Sequence, residues 1–214
     1  GSNTFSGSNF TNYSIDRSQP NDRAALVTMV DTTYPLVRNL SSGYSRLKVQ
    51  SLMNLAQAYK KLNVADRPLQ LLAEATQNVN GVRGAELQAN LLSDIAKVYI
   101  SWKDTATAQQ VLTQALRFSD TAVREQTDPA RKYASRGGIV NAYIQMGQID
   151  RAVELLQPVT DTTMLNNLYS NAVRQYIDQN NLDRATQTIA RIPSASSKAI
   201  AYTDLAAAYR RQNQ

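Results

Sequence analysis

A tyrosine in one recurring context constrains this chain more than any other feature. Around Tyr143 the sequence reads Ile139-Val-Asn-Ala-Tyr-Ile-Gln-Met-Gly-Gln-Ile-Asp-Arg-Ala-Val-Glu-Leu-Leu156. Apolar residues recur at helical spacing up to Ile144, and Gly147 then breaks the pattern. Ala152, Leu155 and Leu156 form the stripe of a second helix that Asp150 is placed to cap. The stretch predicts two helices folded back on each other. The same context returns as Leu-Ala-Gln-Ala-Tyr59, Ile-Ala-Lys-Val-Tyr99, Ala-Val-Arg-Gln-Tyr176 and Leu-Ala-Ala-Ala-Tyr209. One such hairpin cannot cover its own apolar stripe, whereas stacked copies cover one another, so the repetition predicts a helical array.

The array predicts first helices near 46–61, 85–102, 129–146, 164–179 and 197–212, and second helices near 66–78, 105–118, 150–158 and 183–192. Asp22-Arg-Ala24 matches the openings Asp150-Arg-Ala152 and Asp183-Arg-Ala185, so the segment from 22 reads as a leading second-type helix, its regularity limited by Pro35. The longest connection is expected from Ser119 to Asp128, with Asp128-Pro129 restarting a helix as cap and first-turn proline. Residues 1–20, rich in Ser, Asn, Thr and Gly, read as a polar tail or linker, and 21–214 as one helical-repeat domain. Gly1-Ser2 reads as an expression scar, and the compartment is left undetermined.

Within the repeat each position has a physical reason. Asp66, Asp150 and Asp183 stand seven residues after a tyrosine, where a carboxylate suits a helix N-terminus. Asp104 or Thr105 takes that role in the second hairpin. Pro68, Ala108, Ala152 and Ala185 stand nine after it, small enough for two helices to approach. Leu72, Leu112, Leu156 and Ile189, thirteen after it, fill the groove between neighbours. Leu55, Ile95, Ile139, Ala172 and Leu205, four before it, share the buried face, and Leu52, Leu92, Tyr169 and Tyr202 lie a further turn back.

This pattern resembles the tetratricopeptide repeat family over about residues 46–212, and the third hairpin, with Tyr143, Gly147, Ala152 and Leu156, fits it best. The sequence departs from the family at the tyrosine separations 59 to 99 and 99 to 143, longer than the later 143 to 176 and 176 to 209. It departs also at Val140 and Val173, where the family favours a small residue. The resemblance implies an all-α, right-handed solenoid of antiparallel hairpins, about four full repeats with flanking helices. It also implies a concave groove lined by the first helices, taking a peptide or protein partner.

The residues this groove would present are Gln57, Lys97, Asn141 and Arg174, two before their tyrosines, Lys61 and Gln145, two after, and Asn90 and Asn167, nine before. Amides pair with a peptide backbone and cations with anions, so an acidic peptide or a C-terminal carboxylate is the expected ligand. Gly137-Gly138, inside a first helix, is read as a close helix crossing or, alternatively, as a hole in the groove floor; Trp102 is read as a plug at the end of a hairpin.

Other chemistries are narrowed by composition. The chain has no histidine and no cysteine, which removes disulfides, thiolate and imidazole metal sites, and histidine-based acid–base or nucleophilic catalysis. No phosphate-cradling glycine loop is present, no cofactor or metal is expected, and the chain reads as a non-enzyme. No apolar run reaches the roughly 20 residues needed to span a bilayer. The charge of +6, from 23 basic and 17 acidic residues, admits a polyanionic partner. The alternative reading is therefore an RNA-binding array of pentatricopeptide type. Its base-reading position, six before each tyrosine, would hold Met53, Ser93, Gly137, Ser170 and Thr203, and no base code is visible there. Nucleic acid is accordingly the disfavoured partner, and the one dense basic group, Arg131, Lys132 and Arg136, reads as a solvated surface.

Overall fold

A computed structural model describes residues 20–213, and over them the chain is all-helical. The tail expected over 1–20 lies outside the described residues, apart from Pro20, which opens the first helix. The helices fall into two compact units that divide between Asn78 and Val79.

The first unit holds α1 (Pro20–Arg38), α2 (Ser45–Lys61) and α3 (Arg67–Asn78). α2 packs against both of the others, and its Val49, Leu52, Ala56 and Tyr59 are fully buried together with Leu72 and Ala75 of α3. Polar clasps tie the three helices. The Tyr34 hydroxyl donates to Glu74 at 2.7 Å, the Tyr59 hydroxyl donates to Asp31, and the Arg67 guanidinium lies 4.8 Å from the Tyr34 ring and 5.4 Å from the Tyr59 ring. Hydrogen bonding to Glu74 and burial hold the Tyr34 pKa up, and burial and Asp31 do the same for Tyr59.

The second unit runs through α4 (Ala85–Ser101), α5 (Thr105–Glu125), α6 (Arg136–Gln145), α7 (Ile149–Leu156), α8 (Thr162–Asp178), α9 (Leu182–Ile189) and α10 (Ala195–Gln212). The first helices α4, α6, α8 and α10 pack side by side in that order, while α5, α7 and α9 each pack on the helix before and the helix after. The core is the one the periodicity predicts: Ile95, Leu112, Ile139, Leu156, Ala172 and Ile189 are all fully or almost fully buried. At the last helix the pattern changes. Tyr209 is 43% exposed and Tyr202 47%, whereas Tyr143 is 1% exposed, because no second helix follows α10 among the described residues.

One turn is repeated four times across both units. Four residues after each of the first four repeat tyrosines, Asn63, Lys103, Gly147 and Asn180 have φ of 56°, 65°, 80° and 60°. At each place the following residue's N–H donates to the tyrosine carbonyl, as in Val64 to Tyr59 at 3.1 Å and Asn181 to Tyr176 at 2.8 Å. The left-handed residue itself bonds back to the residue after the tyrosine. This pair of bonds is the Schellman closure, which satisfies helix-end carbonyls and reverses the chain.

Several local expectations are corrected. Asp104 caps the second hairpin as expected, accepting the Thr107 amide at 3.1 Å, but in the fourth hairpin the cap is Asn181, five residues after the tyrosine and two before Asp183, and it accepts the Arg184 amide at 3.2 Å. Asp150 and Asp183 lie inside the first turn, where the dipole still favours them, and Asp66 has a left-handed backbone, φ 66°, before α3. The long connection expected from Ser119 is helix instead, since α5 continues to Glu125. The turn-forming hydroxyls there are satisfied without leaving the helix: Ser119 bonds Ser135 at 2.7 Å, both side chains buried, and Thr121 donates to the Arg117 carbonyl at 3.1 Å. Asp128-Pro129 opens only a 3-10 turn, Pro129–Arg131, and α6 starts at Arg136. α1 continues through Pro35 to Arg38.

Candidate functional site

The predicted groove residues divide between the units. Gln57 and Lys61 are exposed on α2 of the first unit. Asn90, Lys97, Asn141, Gln145, Asn167 and Arg174 belong to the second unit, where the packing of α4 on α6 and α6 on α8 puts Lys97, Asn141 and Arg174 at one register of three successive helices. Lys97 and Asn141 are half-buried, and Arg174 is exposed. Gln145 and Asn167 are exposed on the same helices, and Asn90 is half-buried near the start of α4.

Two of the three row residues are joined through a side chain the repeat reading passed over. Asn171 Nδ2 donates to Asn141 Oδ1 at 3.3 Å, and Asn171 Oδ1 accepts from Arg174 Nη2. Asn171 lies three residues before Arg174 on α8, so the two meet on one helix face. The chain of bonds holds the Arg174 guanidinium to Asn171, which itself reaches α6, and uses one of its five donors.

The position five before the tyrosine therefore belongs to the face, and it explains two further features. On α4 it is Asp94, exposed at the surface, whose carboxyl is pushed up by partial desolvation among its neighbours against the opposing pull of the Lys97 ammonium. The row is thus mixed in charge at its α4 end rather than purely cationic. On α6 it is Gly138, where an added Cβ would stand 3.1 Å from the Ser93 Cβ. The close-crossing reading of Gly138 follows directly: α6 approaches α4 over a position with no side chain. Gly137 is looser, its nearest neighbour being Met164 at 3.6 Å.

The remaining singled-out residues have structural surroundings. Trp102 is half-buried and meets Tyr99 edge-on at 6.4 Å. The basic group around Arg131 is split: Arg131 and Lys132 are exposed, but Arg136 turns inward, pairs with Asp120 at 2.9 Å, donates to the Leu155 carbonyl at 3.0 Å and stacks 5.3 Å from the Tyr133 ring. Three acidic residues, among them Asp150 that was expected as a cap, receive tyrosine hydroxyls: Asp31, Glu74 and Asp150. No spacing rule within one helix could have found these, because donor and acceptor sit on different helices.

No helix among the described residues is long and apolar enough to cross a membrane. No protein-family model matches the chain, and no curated protein sequence matches it.

Proposed function

We propose that the chain is a tetratricopeptide-like scaffold that holds a partner peptide along the first-helix face, with Lys97, Asn141 and Arg174 as contacts. The observation that carries this reading is the bonded chain from Asn141 through Asn171 to Arg174, which bridges α6 and α8 and uses one donor of an exposed guanidinium. An extended peptide running across α4, α6 and α8 would meet amides that pair with its backbone and, at Arg174, a fork suited to a carboxylate. Lys97, shared with Asp94, would serve the backbone more than a second acid. Asn90, Gln145 and Asn167 extend the same face; Gln57 and Lys61 offer a like surface on the first unit.

The RNA alternative loses ground at its base-reading position, where Ser93 is buried and faces Gly138. A non-enzymatic role fits the mixed, evenly spread polar groups of this face.

The test is a peptide library in which every C-terminal carboxylate has an amidated counterpart. Binders should prefer the free acid. Arg174→Ala should weaken them about tenfold, the loss of one charge-assisted bond of about 1.5 kcal/mol. Arg191→Ala, just beyond the second helix α9, should leave them unchanged. Indifference to Arg174→Ala and Lys97→Ala together would overturn the assignment.

A further inference from the structure

Two of the repeat tyrosines, Tyr59 and Tyr176, come with a carboxylate and an arginine. The Tyr59 hydroxyl donates to Asp31 on the preceding helix, and Arg67, eight residues after the tyrosine, lies beside its ring. The Tyr176 hydroxyl donates to Asp150 on the preceding helix, and Arg184, again eight residues on, reaches to 3.9 Å from the same carboxylate. In both cases the tyrosine O–H has a carboxylate from the preceding helix and a guanidinium nearby, and at Tyr176 the two donors share that one anion.

At Tyr143 the arrangement is present without its anion. The arginine eight residues on is Arg151, and the preceding second helix is α5, which offers Thr113 and Arg117 where an acceptor would be needed. The one nearby carboxylate, Asp120, is held by Arg136 at 2.9 Å. Tyr143 makes no side-chain hydrogen bond among the described residues. Here α5 and α7 leave an open cleft of about 440 Å³, lined among others by Thr113, Arg117, Asp120, Arg136, Tyr143 and Arg151. Three arginines and one aspartate line the cleft, only Arg136 of the three pairs with that aspartate, and the Nε of Arg136 is buried with no acceptor. Buried donors are ordinarily paired, so a converging set of cations with an orphaned N–H marks a place for an acceptor. Arg151 also pairs with Glu154 at 3.2 Å, but that pair is exposed and readily exchanged.

We propose that the cleft between α5 and α7 binds a carboxylate group from outside the fold, which takes the place that Asp31 and Asp150 fill at Tyr59 and Tyr176. The Tyr143 hydroxyl would donate to one oxygen, and Arg151 and Arg117 would supply the charge-assisted bonds. None of the first-helix row residues lines this cleft, so the site goes beyond the peptide face and stands or falls separately from it.

The probe is sodium succinate, titrated into the isotopically labelled protein at constant ionic strength and followed by NMR. Saturable shifts should appear in α5 and α7 and at the arginine Nε–H signals, with half-saturation around the millimolar range expected of a few exposed charge-assisted bonds. Arg151→Ala and Tyr143→Phe should each weaken binding several-fold, and Arg174→Ala should not. Arg117→Asp, which supplies an internal carboxylate, should abolish binding and raise the melting temperature. A short aspartate-bearing peptide with blocked ends separates the sources: tighter binding than succinate assigns the carboxylate to a protein partner, weaker binding to a free organic acid, and Arg151 is required in both cases. Shifts that remain linear in succinate, unchanged affinity in Arg151→Ala, or inorganic phosphate binding more tightly than succinate would each overturn the proposal.

Discussion

The hairpins α6–α7 and α8–α9 are successive copies of one repeat, with their tyrosines 143 and 176 at the same place, yet they solve one problem differently. Both rings are buried, Tyr143 at 1% and Tyr176 at 3% exposure, and both chains reverse through the same Schellman closure. Only Tyr176 has its hydroxyl bonded, to Asp150. What the repeat copies is therefore shape: the ring, the turn and the small residue nine positions on. The polar tip is completed by whatever the preceding second helix happens to offer, a carboxylate from α7 in one case and a cleft beside α5 in the other.

If shape is what the two hairpins share, core truncations should hurt them alike. Leu156 is 1% exposed and Ile189 is fully buried. Leu156→Ala and Ile189→Ala should each lower unfolding free energy by about 2–5 kcal/mol, measured by denaturant titration. A loss well under 1 kcal/mol in one hairpin only would show that the two cores are not equivalent.

The tyrosine tips should then separate them. Tyr176→Phe leaves the Asp150 carboxylate without its donor and should cost about 1–2 kcal/mol, whereas Tyr143→Phe should change stability by less than about 0.5 kcal/mol. The alkaline limb sharpens the contrast. Burial, with Asp150, raises the Tyr176 pKa above its ordinary value of 10.0, so the folded state keeps a proton that the unfolded chain has begun to lose. That stabilisation is complete below pH 10 and disappears as pH rises through the folded value. Wild type and Tyr143→Phe should lose stability above pH 10 more steeply than Tyr176→Phe; parallel curves would break the distinction.

The same contrast explains what could be read before the fold was known. Positions that serve shape carry a periodic apolar signal, so the helices and the buried residues at Leu112, Ile139 and Leu156 were legible, as was Gly147. Polar partnerships were not. Tyr176 and Asp150 are 26 residues apart, and Asn171 links to Asn141 over 30, separations that only the stacking of one hairpin on the next brings within reach. Asp104 is the expected cap, whereas Asp150 and Asp183 lie two residues inside their helices, because a carboxylate anywhere in the first turn gains from the helix dipole and composition alone does not say which residue accepts the amide. Helix α5 was cut short because Ser119, Asp120 and Thr121 favour turns when solvated, and here Ser135 and the helix's own carbonyls occupy the two hydroxyls.

The smallest difference lies in the turn itself. Gly147 and Asn180 both hold a left-handed backbone, at φ 80° and 60°, and close the turn with the same pair of bonds. A side chain at Gly147 would meet two costs. The left-handed conformation is unfavourable to an L-residue by roughly 1–2 kcal/mol, and an added Cβ would stand 3.2 Å from Gln179 Nε2, which donates to the Gly147 carbonyl. Gly147→Ala should therefore cost about 1–2 kcal/mol, and Gly147→Asn less, since asparagine tolerates this region better. Asn180 already makes that compromise, and its side chain accepts from Gln212 of α10 at 2.6 Å. Replacing it by glycine relieves the backbone but removes an exposed hydrogen bond, so Asn180→Gly should fall within about 0.5 kcal/mol of wild type. Should Gly147→Ala also be neutral, the turn would be yielding in α6–α7, and the backbone identity of the two hairpins would be a consequence of packing on either side rather than a constraint set by the closure.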